Sequence, residues 1–85
     1  MTNQEIIEKL KLIVQPYIKN QDAFDSLTES TDFINDLQIN SANLVDVILD
    51  IEEVFKIEID NDSMEKMLDV KSALTIIQTK LSLKE

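Results

Sequence analysis

Eighty-five residues, 44% hydrophobic and 29% charged, make one globular domain whose core must be mostly Ile, Leu and Val, because aromatics are only 5%. No His, Cys or Gly occurs, which removes imidazole acid–base chemistry, thiol nucleophiles, disulfide or thiolate–metal frameworks and glycine-rich phosphate loops. The net charge of −9 is concentrated in the middle, since residues 21–70 hold fourteen acids and two lysines while residues 1–20 hold two acids and three lysines; such a field repels nucleic acid and anionic lipid and speeds encounter with basic proteins.

The chain opens on Thr2-x-x-Glu5, a capping-box pattern that places a helix start at Thr2. Ile6, Ile7, Leu10, Ile13, Val14, Tyr17 and Ile18 keep the helical period, but Pro16 cannot donate its N–H and crowds the preceding turn, so the helix ends or kinks near Gln15. From about Lys19 to Asn40 the period is lost, and Asn, Asp, Ser and Thr cluster as in a loop. So long a loop needs anchors. Phe24, Leu27, Phe33, Ile34, Leu37 and Ile39 supply them, with room for one short helical turn. Without glycine, left-handed turn positions fall to Asn and Asp, and Asn20, Asn35 and Asn61 are the candidates.

A second long helix begins near Ser41. Leu44, Val47, Ile48, Ile51, Val54 and Phe55 form its core stripe at three- and four-residue spacing. At ~100° per residue, Ala42, Val45 and Leu49 fall off that stripe, among Asp46, Glu52 and Glu53. An apolar strip rimmed by carboxylates beside one serine has the composition of a docking surface. Plainer readings stand beside it: Ser41 as an ordinary N-cap, isolated exposed apolar residues, and a solvated acidic face. Lys56-Ile57-Glu58-Ile59-Asp60 alternates like an edge strand, yet no second strand exists to pair with it. Asp60-Asn61-Asp62-Ser63 offers an N-cap for a short helix through Met64, Met67 and Leu68. Asp69 can cap a last helix with Val70, Ala73, Leu74, Ile77 and Leu81 inward, and Lys80 and Lys84 near its negative end. The expected architecture is all-α, a small four-helix bundle of three longer helices and one short, in a single domain over residues 1–85 with a long first loop.

Ser41 lacks a base of the kind that activates a nucleophile, so no catalytic residue is expected and the chain is not read as an enzyme. An EF-hand register from Asp60 would put Glu65 at the sixth position and Lys71 at the twelfth, which excludes a dedicated calcium loop. Glu52, Glu53, Glu58 and Asp60 offer at most a loose cation contact, and no metal site is expected. No run is long and apolar enough to cross a bilayer or act as a signal peptide; a cytoplasmic monomer with no membrane partner is the expectation.

The segment Asp36-Leu37-x-x-Asn40-Ser41-Ala42, the acidic helix ending in Ile51-Glu52-Glu53-Val54-Phe55, and the upstream run from Leu27 to Leu37 together resemble the acyl carrier protein family. The family motif is usually Asp-Ser-Leu; Asn40 and Ala42 replace its flanking residues here. The resemblance implies a bundle of acyl carrier type and a 4'-phosphopantetheine arm on Ser41, attached from coenzyme A by a phosphopantetheinyl transferase. It implies acyl synthases, transferases and other biosynthetic enzymes with basic patches as partners. These would meet Asn40, Ala42, Val45, Asp46, Leu49, Glu52 and Glu53, with Ile59 and Met64 near the entrance of a space between helices for the acyl chain. Met67 and Ala73 either line that space or belong to ordinary core. The implied function is a shuttle of acyl thioesters in fatty-acid or polyketide-like synthesis, in a specialised pathway because of Asn40 and Ala42. An aminoacyl or peptidyl carrier, and an unmodified acidic interaction module, are the alternatives.

Overall fold

The computed structural model describes residues 2–84, with the side chain of Lys84 left out. Its elements are α1 (Asn3–Val14), a 3-10 turn (Gln15–Tyr17), α2 (Gln21–Asp25), α3 (Ser41–Phe55), α4 (Asn61–Lys66) and α5 (Val70–Lys84). Among the described residues no strand forms; one isolated antiparallel bridge joins Asp32 to Asp69. The expected all-α bundle of three longer helices holds, with α4 as the short helix and α2 as the turn within the long loop.

Local chemistry sets each boundary. Thr2 Oγ1 accepts the N–H of Glu5 at 3.2 Å and starts α1. Pro16 falls at the front of the 3-10 turn, where its missing N–H does no damage, so α1 stops at Val14. Asn20 caps α2 through the N–H of Ala23, Asp60 caps α4 through that of Ser63, and Asp69 Oδ1 takes the N–H of Ser72 at 2.8 Å in the first turn of α5. Hydrogen bonds from Ser63 and from Ser72 hold the carboxyls of Asp60 and Asp69 below the usual carboxylate range. The expected contact of Lys84 lies outside the described side chains; Lys80 instead reaches Asp60 at 3.9 Å.

The core is one cluster. Ile6, Leu10 and Val14 of α1 meet Val47, Ile48 and Ile51 of α3 and Val70, Ala73 and Ile77 of α5, with Phe33, Leu37 and Ile39 of the loop driven into the same space. The loop survives its length because its backbone is tied down at both ends. Lys19 N–H donates to the Leu37 carbonyl at 3.0 Å, Phe33 N–H to that of Leu68 at 3.0 Å, Val70 N–H to that of Thr31 at 3.0 Å, and Lys71 N–H to that of Glu29 at 2.9 Å. Thr31, buried, accepts the N–H of Thr28 on its hydroxyl.

Four expectations need correction. Ile34 is exposed and anchors nothing; its N–H is held by the Asp32 carboxylate in a polar turn, which leaves the side chain outside. Val54 is 46% exposed, at the margin of the α3 stripe rather than within it. Leu68 lies beyond the end of α4, half in water. Among the described residues the left-handed positions are Gln38 (φ 59) and Lys56 (φ 56), not asparagines. Asn20 is spent as a cap with φ −119, Asn61 is helical, and Asn35 gives its N–H to Asp32.

Candidate functional site

The N-terminus of α3 is set by Asn40, not by Ser41. Asn40 has extended φ −61 and ψ 139, its Oδ1 accepts the N–H of Ala42 at 2.8 Å, and its carbonyl accepts that of Leu44 at 2.9 Å. Ser41 is therefore the first helical residue, exposed, and its hydroxyl takes part in no hydrogen bond among those described. Reading Ser41 as the N-cap fails because Asn is as good a cap and stands one residue earlier. The outcome is a free hydroxyl at the positive end of a fifteen-residue helix.

One flank of α3 carries the apolar strip that the spacing foresaw. Val45 is 45% exposed and Leu49 53%, with Ala42 exposed above them. Asp46 and Glu53 are exposed beside this strip and make no ion pair or hydrogen bond among the described residues. The other two acids of the helix are engaged. Glu52 is half-buried and its Oε2 accepts the N–H of Ile59 at 2.7 Å, pinning the segment between α3 and α4. Asp50 Oδ2 accepts the Tyr17 hydroxyl at 3.3 Å across to the end of α1. Partial burial of the ring, and then the Asp50 charge, push the tyrosine's ionisation upward.

Beyond that segment, Ile59, Met67 and Ala73 are buried in the common core and Met64 packs half-buried against it. Glu52, Glu53, Glu58 and Asp60 do not gather: among the described residues no group of three or more acidic side chains is placed to hold a metal ion. Nor is any described helix long and apolar enough to cross a membrane. A feature that the periodicity missed lies on another shoulder of the molecule. Val54, about 140° around the helix from Leu49 at ~100° per residue, shares a surface furrow with Lys9, Leu12 and Ile13. Leu12 is 71% exposed there, and the one sign of it in the sequence is that Leu12 falls off the α1 stripe.

No family model matches the chain. It is 37% identical over 79 residues to an acyl carrier protein of Lactobacillus acidophilus, covering 93% of the chain and 96% of that relative. It is 38% identical over 78 residues to one of a Picosynechococcus species, covering 92% and 94%, and 33% identical over 85 residues to one of Guillardia theta, covering 96% and 99%.

Proposed function

The chain belongs to the acyl carrier protein family, and we propose that it serves as a stand-alone covalent shuttle for acyl thioester intermediates of fatty-acid or polyketide-like synthesis, on a 4'-phosphopantetheine arm at Ser41. It is a carrier and not an enzyme. The observation that carries the assignment to Ser41 is the division of labour at the mouth of α3: Asn40 does the capping, so the exposed Ser41 hydroxyl is left free.

The residues present fit such a group. Ser41 sits in the first turn, where the two bonds to Asn40 take the N–H groups of Ala42 and Leu44 and the positive helix end favours the single negative charge of a phosphodiester. When bound, the arm supplies the thiol that this cysteine-free chain lacks. Asp46 and Glu53, exposed and unengaged, guide basic patches of a phosphopantetheinyl transferase and then of acyl synthases and transferases. Val45, Leu49 and Ala42 supply apolar contact once a partner has arrived. Glu52 serves the docking face at most with one oxygen, since the other holds Ile59 N–H. In this reading Ile59 and Met64 lie near the entrance for the acyl chain, and Met67 and Ala73, which pack in the common core, would line the space behind it. Asn40 and Ala42, which depart from the usual motif residues, support a specialised pathway.

The test is incubation with coenzyme A and a broad-specificity phosphopantetheinyl transferase. One arm is added to the parent chain and none to Ser41→Ala, which melts like the parent. An unmodified parent across several transferases would favour the acidic interaction module instead.

A further inference from the structure

Asn40 does more than end a loop. Its side-chain amide has one oxygen and one NH2, and only the oxygen can accept the N–H of Ala42, so the 2.8 Å cap bond fixes which way the amide faces. The Nδ2 group finds no acceptor among the described hydrogen bonds, and the residue is exposed. A neutral donor is thereby held on the outside of the first turn, one residue from the Ser41 hydroxyl. The cap brings no charge of its own. An aspartate would cap equally well but would set a carboxylate where Asn40 sets an NH2. The backbone carbonyl of Asn40 is fixed by the N–H of Leu44, so the side chain springs from an anchored residue and swings aside only by giving up its bond to Ala42.

We propose that Asn40 is a positioning residue for the phosphodiester carried by Ser41: it caps α3 without a competing negative charge and offers Nδ2–H to a phosphate oxygen, holding the root of the arm against the helix mouth. The proposal rests on the reading of Ser41 as the attachment site. It assigns Asn40 a role toward the chain's own prosthetic group, separate from any contact with an enzyme. The consequence is a coupling between the charge at position 40 and the state of Ser41. In the native chain, loading adds one negative charge beside a neutral donor at a positive helix end. In Asn40→Asp, loading adds that charge beside another, a few ångströms away in a largely aqueous setting.

The experiment compares apo and loaded forms of the native chain, Asn40→Asp and Asn40→Ser. Asn, Asp and Ser are all good caps, so a purely structural role predicts the same change in melting temperature on loading in all three. The proposal instead expects loading to be less favourable to Asn40→Asp than to the native chain by roughly 3–5 °C at low salt, with the gap closing near 1 M salt. Asn40→Ser, which keeps the cap without the charge and replaces the NH2 by a single, shorter-reaching hydroxyl donor, falls between them. In the native chain the Asn40 side-chain NH2 resonances move on loading, a readout that stands even where a variant resists the transferase. Equal melting shifts in all three at low salt, or NH2 resonances that do not move, overturn the proposal. Intact mass is read first: failure of the native chain to gain an arm at Ser41 removes the attachment reading and this inference with it, whereas a loaded Ser41 with equal shifts removes this inference alone.

Discussion

Truncating Ile51 or Leu49 to alanine deletes similar apolar volume from two sides of one helix, and the consequences should differ several-fold. Ile51 is wholly buried in the common core, whereas Leu49 is 53% exposed. A buried Ile→Ala change leaves a cavity and costs about 2–5 kcal/mol. Set against a total stability of roughly 4–13 kcal/mol for a domain of this length, that is a large fraction of the whole. Leu49→Ala forfeits only the half-buried part of one side chain, about 1 kcal/mol or less. Val54→Ala belongs with Leu49, because Val54 is 46% exposed, although the sequence stripe groups it with Ile51. At about 4–8 °C per kcal/mol for a domain this size, Ile51→Ala should drop the melting temperature by at least about 8 °C, and the other two by less. Thermal melts followed by circular dichroism, with urea titrations to check that the slope is unchanged, decide it. Melting of Leu49→Ala or Val54→Ala as low as Ile51→Ala would show that the helix is rotated from its place here and that the exposed strip does not exist.

Lys56→Gly removes the steric cost of a left-handed residue at the end of α3 and should raise stability by about 0.5–1 kcal/mol, despite the looser unfolded chain; a lower melting temperature would refute the φ of 56. Glu52→Ala should cost about 1–3 kcal/mol by stripping the Ile59 N–H of its charged acceptor, while Glu52→Gln, which keeps an acceptor, should cost less; equal melts for the two would sink the pinning role. Asp69 has its carboxyl lowered by Ser72, so its contribution is present above the unfolded-state pKa near 4 and is lost as pH falls through the lower folded value. Asp69→Asn, still a competent cap, should therefore flatten the acid limb of a stability–pH profile below about pH 4, and an unchanged limb would contradict that.

What could be read in advance divides along physical lines. The starts of α1, α4 and α5 were legible because Thr2, Asp60 and Asp69 act within their own first turns, where sequence and geometry are nearly the same thing. The end of α1 followed from Pro16 in the same way. Side-chain facing at the stripe margin was not, because the period fixes the middle of a buried face while its width depends on the neighbour. Val54 sits where α1 stops covering α3. The left-handed residues escaped because propensity ranks residue types, whereas closure selects positions. Leu37 and Ile39 send their N–H groups back to Asp32 and Phe33, and the chain turns at Gln38 to satisfy both. At Lys56 the need is for an immediate turn, with the Lys56 and Ile57 N–H groups both returning to the Glu52 carbonyl. The mouth of α3 was legible in place but not in detail: Ser41 stands at the helix start as the pattern required, while the cap passed to Asn40 because two good capping residues are adjacent and only geometry chooses between them.

The most direct measurement for the whole account is fragmentation mass spectrometry of the chain after loading from coenzyme A. Six serines are present, so the assignment is exclusive: the account predicts a single arm on the peptide that contains Ser41, on that residue. An arm on Ser26, Ser30, Ser63, Ser72 or Ser82, with Ser41 bare, would contradict it.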